Sequence, residues 1–206
     1  MNKSGKNTEE KMPKPVFVPQ VEPRESVEEQ LENRKEEDLN LPHWNWCAIC
    51  CVRMIVLGLG FEVPDMIDMY NTATEKYGVY RLVDGRIIGA YHRELASYVK
   101  GEFGLKARAL RRQSTDNVAR WISRGYYFIA SVSSDIRKTG AEVPIRQNGH
   151  LVLVYDVLET SEGRFFILHN SAGFSRTNTQ SEVLVSENRF AQCFSGNGLI
   201  ISGDHS

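Results

Sequence analysis

The chain has 206 residues, 41% of them hydrophobic and 10% aromatic, enough apolar material for one packed domain and a tail. A net charge of −1 and a pI near 6.5 leave no electrostatic footprint for a nucleic-acid partner. No apolar run approaches the roughly 20 residues that cross a bilayer, and the polar N-terminus lacks the apolar stretch of a secretory signal, so the expectation is a cytoplasmic protein with no membrane partner.

Residues 1–40 hold four of the seven prolines and 17 charged residues. Such a stretch buries too little apolar surface to offset its ordering entropy. It reads as a tail, disordered over 1–25, with a solvated helix over 26–38. Ser26 and Glu29 there have capping-box spacing, and Val27 and Leu31 make a thin apolar stripe. A tail that binds a protein partner through that helix is the alternative reading. The folded domain is expected over 41–206.

Within it, 47–57 form an apolar helix stopped by Gly58 and Gly60. Pro64 suits the first turn of a second helix over 64–75. Residues 91–103 read as a third helix and 114–123 as a fourth, capped by Ser114 or Thr115, with a strand at 106–110 between them. After Gly125 the pattern turns to β-formers: 126–132, 151–158, 164–169 and a closing strand at 198–202. Residues 159–163 read as a hairpin loop and 133–148 as a long polar connection. Helices first and an antiparallel sheet second is an α+β pattern.

The four cysteines are Cys47, Cys50, Cys51 and Cys193. Three of them cluster, which points to site chemistry or packing rather than a disulfide framework. Cys47 falls at the start of a helix, where the exposed N–H groups favour thiolate, and Asn45 is the expected cap. Cys50 and Cys51, among Ile49, Val52 and Ile55, read as small buried hydrophobes. Trp46-Cys47-Ala48-Ile49-Cys50 also has the form of a thiol–disulfide redox site, but the polar 36–46 stretch before it does not read as the strand such a site follows. A metal site from His43, Cys47, Cys50 and Cys51 lacks a second ligand pair with zinc-like spacing.

A nucleophilic cysteine needs a base, and the base an orienting partner. His150 opens the 151–158 strand and Asn170 ends the next one. If the two strands pair as a hairpin, both side chains fall at one edge of the sheet. Taken singly, each reads as an ordinary strand-end or turn residue; together they suggest a base and its partner. His169 alternates to the opposite face and reads as non-catalytic. Trp44 and Trp46 read as either cleft walls or core. Trp121 and Cys193 read as buried.

Three blocks carry a family resemblance: 45–54 around Asn45-Trp46-Cys47-Ala48, then Gly125-Tyr126-Tyr127-Phe128 with Gly149-His150-Leu151-Val152, then His169-Asn170-Ser171-Ala172-Gly173. In order and spacing they resemble the papain-like cysteine peptidases related to the bacteriocin leader peptidases, which cut after double-glycine leaders. The resemblance implies a papain-like fold, a helical half with the nucleophile packed on an antiparallel sheet with the base. It implies Cys47 as nucleophile, His150 as general base and Asn170 fixing the imidazole tautomer, acting on a peptide or protein substrate without a cofactor or metal. The sequence departs from the family at Ala48, where a glycine is usual, and at Asn170-Ser171, where Asp-Pro is usual. The glutamine that stands six residues before the cysteine and donates to the oxyanion is also missing: position 41 is Leu, and no glutamine lies between Gln30 and Cys47. Asn45 is the substitute donor expected here, beside the Cys47 backbone N–H, with Asn40 and the Trp46 indole as others. The alternatives are a peptide-binding module that does not cut, an acyl transferase or transglutaminase-like enzyme, and a thiol–disulfide oxidoreductase.

Overall fold

In a computed structural model the described residues are 12–20, 45–138, 149–173 and 177–202. The helix expected over 26–38, His43, Trp44, and residues 139–148 of the polar connection lie outside them. Eight strands and five α-helices run as α1 Cys47–Gly58, α2 Met66–Glu75, β1 Tyr80–Val83, β2 Arg86–Gly89, α3 His92–Phe103, β3 Ala107–Leu110, α4 Thr115–Ser123, β4 Tyr126–Ser133, β5 Gly149–Thr160, β6 Gly163–His169, β7 Val183–Ser186, α5 Glu187–Cys193 and β8 Phe194–Ser202. Asp65 caps α2 and Ser114 caps α4, each accepting from the backbone N–H three residues on. Pro64 therefore lies just before α2, outside its first turn.

Strands β3-β8-β4-β5-β6-β7 form one antiparallel sheet in that order. Its two faces are covered by different helices. Helices α1, α2 and α3 pack on the face that presents Tyr127, Ile129, Leu151, Leu153 and Leu199. Helices α4 and α5 pack on the other, over Phe128, Val152, Val154, Phe166 and Ile200. Alternation along each strand supplies both cores. The sheet is thus a filling between two helical layers, and the second layer is one that the helices-first pattern did not anticipate. A β-bulge between Val154 and Asp156 shifts the β5–β6 register.

Two elements escaped the sequence pattern. Strands β1 and β2 form a separate hairpin whose Asp84-Gly85 turn has φ of 49° and 73°, as a two-residue hairpin loop requires. At the other sheet edge, β7 and α5 precede β8; Cys193 is fully buried there and Trp121 on α4 is half-buried.

Residues 12–20, read from sequence as part of a disordered tail, instead form an extended strap along the α1 face. Val16 N–H donates to Met54 O at 3.0 Å and Gln20 N–H to Ser171 O at 2.9 Å. Tyr127 Oη donates to Pro13 O at 2.5 Å, and Phe17 and Val18 pack on the core. The packed chain therefore begins well before Leu41. Prolines 13, 15 and 19 hold an extended backbone without N–H groups to satisfy, so the strap needs few partners to dock. Gly58 permits the crossing: a Cβ there would stand 2.7 Å from Lys14 O and 2.8 Å from the Pro15 Cα.

Candidate active site

Helix α1 starts at Cys47, as its apolar run predicts, with Trp46 in the cap position and no side-chain cap. Cys50 N–H closes the first turn on Trp46 O at 2.8 Å. Asn45 stands one residue too early to cap it, and makes no hydrogen bond to the described residues. Ala48 through Val52 are sealed from solvent, while Cys47 at the helix mouth is half-buried. Burial pushes the Cys47 thiol above its ordinary pKa, outweighing the backbone groups of Leu151, Ala48 and Cys47 itself, which favour thiolate. The helix-end lowering expected from sequence is thus overridden by desolvation.

The other two thiols of α1 are fully buried. Cys51 Sγ donates to Leu151 O at 3.8 Å and Cys50 Sγ to Pro19 O at 4.0 Å. Burial pushes both well above the free-thiol range. With so little thiolate, Cys50 is poorly suited to resolve a mixed disulfide. Among the described residues no three His, Cys, Asp or Glu side chains group as a metal site.

His150 lies on β5, one residue before Leu151, whose carbonyl accepts the Cys51 thiol of α1. Its Nε2–H donates to Asn170 Oδ1 at 2.7 Å. That oxygen also accepts Ala172 N–H at 3.2 Å, which fixes the amide's orientation and so the imidazole tautomer. Nδ1 is then the basic nitrogen. The ladder explains the contact. Leu153 pairs with His169; one step further puts Asn170 opposite Val152, on the face His150 occupies two residues away. Burial drives the His150 pKa down to about 4, the Arg137 charge adds to this, and the Asn170 bond opposes it. The Cys47 thiol and the His150 imidazole are therefore each held in the neutral form.

Gln20 is the residue that sequence reasoning missed. It is 6% exposed at the end of the strap, its backbone N–H on Ser171 O and its Oε1 accepting from Ser171 Oγ at 3.4 Å. The preceding carbonyl, Pro19 O, takes the Cys50 thiol one helical turn from Cys47. A glutamine thus arrives between Asn170-Ser171 and the mouth of α1 from 27 positions upstream of the cysteine. The one local signal was the alternation in Pro13-Lys14-Pro15-Val16-Phe17-Val18-Pro19-Gln20. Trp46 packs against Tyr70 at 6.2 Å, and Tyr70 on Tyr80 at 4.9 Å, so its ring belongs to an aromatic row on the core.

No protein-family model matches the chain, and no curated protein matches it. Among solved structures, a protein of Bacillus anthracis provisionally assigned as a C39-like peptidase aligns with a TM-score of 0.51 at 16% identity, over 75% of this chain and 87% of that one. At that identity the likeness speaks for the fold: this mixed helix-and-sheet chain has a C39-like peptidase fold. No helix among the described residues is long and apolar enough to cross a membrane.

Proposed function

We propose that the chain is a papain-like cysteine peptidase, akin to the double-glycine leader peptidases, with Cys47, His150 and Asn170 as its triad. The observation that carries this is the 2.7 Å Nε2–Oδ1 bond, which aims an unprotonated Nδ1 away from Asn170, in the residue next to Leu151, whose carbonyl accepts the Cys51 thiol of the Cys47 helix. As the sulfur attacks a peptide carbonyl carbon, Nδ1 takes the Sγ proton; it returns that proton to the leaving amine nitrogen. Water then hydrolyses the thioester, with Nδ1 taking its proton and returning it to the sulfur. The developing oxyanion is met by the Cys47 backbone N–H and by the Nε2 donor of Gln20, whose Oε1 is held by Ser171 Oγ. Gln20 fills the role for which Asn45 was the expectation.

A second reading, a peptide-binding module that does not cut, is favoured by the raised pKa of the Cys47 thiol. Hydrolysis of fluorescein-labelled casein separates the two. Cys47→Ala is expected to lower it by at least about 10³-fold, and Asn170→Ala by about 10-fold to 10²-fold. Iodoacetamide should label the native protein stoichiometrically at Cys47, ahead of Cys50 and Cys51. Intact casein together with labelling no faster than a free thiol would leave the binding module. Product analysis with added hydroxylamine distinguishes hydrolysis from acyl transfer.

A further inference from the structure

His169 and Asn170 are consecutive, and alternation sends them to opposite faces of the sheet. Asn170 turns to His150. His169 turns to the α1 face and meets the strap. Its Nδ1 accepts Glu182 N–H at 3.1 Å, which leaves the proton on Nε2; Nε2–H donates to Pro15 O at 3.2 Å. Phe17 of the strap sets its edge against the imidazole at 5.5 Å, and Tyr155 packs on the ring at 4.7 Å. The ring is 1% exposed, far more enclosed than its place near a strand end requires. Both of its nitrogens are used, one in each polarity, and only a neutral imidazole can do that. Glu182 itself has a φ of 55°, a backbone conformation that a non-glycine residue keeps only when its surroundings hold it. The Lys14–Glu182 ion pair over the latch is more than half exposed and adds little.

We propose that His169 is a positioning residue that latches the strap at Pro15 and so holds Gln20, five residues further on, at the oxyanion site. The proposal rests on the peptidase reading for the role of Gln20. Elsewhere the strap is held by backbone bonds at Val16 and Gln20, by side-chain bonds to the Pro13 and Pro19 carbonyls, by the Ser171–Gln20 bond and by packing of Phe17 and Val18 on the core. His169 is the point where strap, β6 and the residue before β7 are tied together. One dipeptide thereby sets both the base and the oxyanion donor: Asn170 orients the first directly, and His169 delivers the second through the strap.

The test is a double-mutant cycle on casein hydrolysis, with hydrogen exchange at Val16 and Gln20 read in parallel. His169→Phe keeps the ring and removes both hydrogen bonds. It is expected to lower kcat by about 10-fold to 10²-fold with KM little changed, as misplacement of a donor does. His169→Gln, which can donate and accept, should recover most of the rate. The double variant with Gln20→Ala should be no slower than Gln20→Ala alone. Iodoacetamide alkylation of Cys47, which needs no oxyanion donor, should not change. Phe17→Ala loosens the strap from its other side and should shift the same readouts if His169→Phe fails to fold. Additive losses in the cycle, or full turnover in His169→Phe, overturn the proposal. So does unchanged exchange at Val16 and Gln20 in that variant. Wild-type protein that neither cleaves casein nor alkylates at Cys47 overturns the peptidase reading instead, while the exchange comparison still judges the latch.

Discussion

Helix α1 presents Cys47 from the most enclosed of the described helices: eight of its twelve residues are buried, between α2, α3 and the sheet. The strap presents Gln20 from a single extended stretch with no helix or ladder of its own, much of it at the surface. One side of the site is thus built into the core and the other is fastened onto it. The difference teaches where rigidity comes from. The position of Cys47 depends on apolar packing, which is dense and hard to deform, whereas that of Gln20 depends on a few directional bonds, each worth about 1 kcal/mol.

Substitution tests the contrast most strongly in α1. Ile55→Ala is expected to cost about 2–5 kcal/mol in urea denaturation, since the side chain is fully buried. Val16→Ala, on a strap residue 49% exposed, should stay within about 0.5 kcal/mol. Equal costs would show that the strap is core after all. Acid comes next. His150 is held near pKa 4 when folded, against 6.5 when unfolded, so the unfolded chain binds the proton first. Stability should therefore fall as the pH drops from about 6.5 towards 4, by up to about 3 kcal/mol from this group. His169 and His92 are lowered in the same direction and add to the slope. Melting curves over that range should flatten in His150→Gln; an unchanged slope would assign the acid sensitivity elsewhere. On turnover, the smallest effect is expected at Cys50→Ala. Turnover should stay within about twofold of wild type, with a stability loss of about 1 kcal/mol. A collapse equal to that of Cys47→Ala would revive the dithiol chemistry.

Much of this was legible in the chain. Helix α1, the capped start of α4 and the three central strands follow from periodicity, capping residues and β-formers, and the bounds moved by only a residue or two. The His150–Asn170 pairing was readable because both lie on one hairpin, where distance along the chain translates into distance in space. The β1–β2 hairpin carried a readable signal in Asp84-Gly85 that the helical reading of its surroundings concealed. Gln20 was not readable by spacing, because nothing local ties a residue to a cysteine 27 positions later. Composition misled there as well: charge and proline mark residues 1–40 as a tail, yet the prolines are what suit 12–20 to an extended, low-entropy strap. Nor could the titration of Cys47 be read from its place on a helix, since burial is a property of the assembled site.

The bulge at Tyr155 sets the frame of the hairpin that carries His150 and Asn170. From the turn upward, Thr160 pairs with Gly163 and Asp156 with Ile167; only beyond the extra residue does Leu153 meet His169. Counted without it, Asn170 would fall opposite Leu153 and turn its amide to the face of the sheet that His150 does not occupy. The hairpin therefore works by odd–even parity. Within the paired strands, a one-residue insertion or deletion puts the His150 imidazole and the Asn170 amide on opposite faces, whereas a two-residue change keeps them on one face.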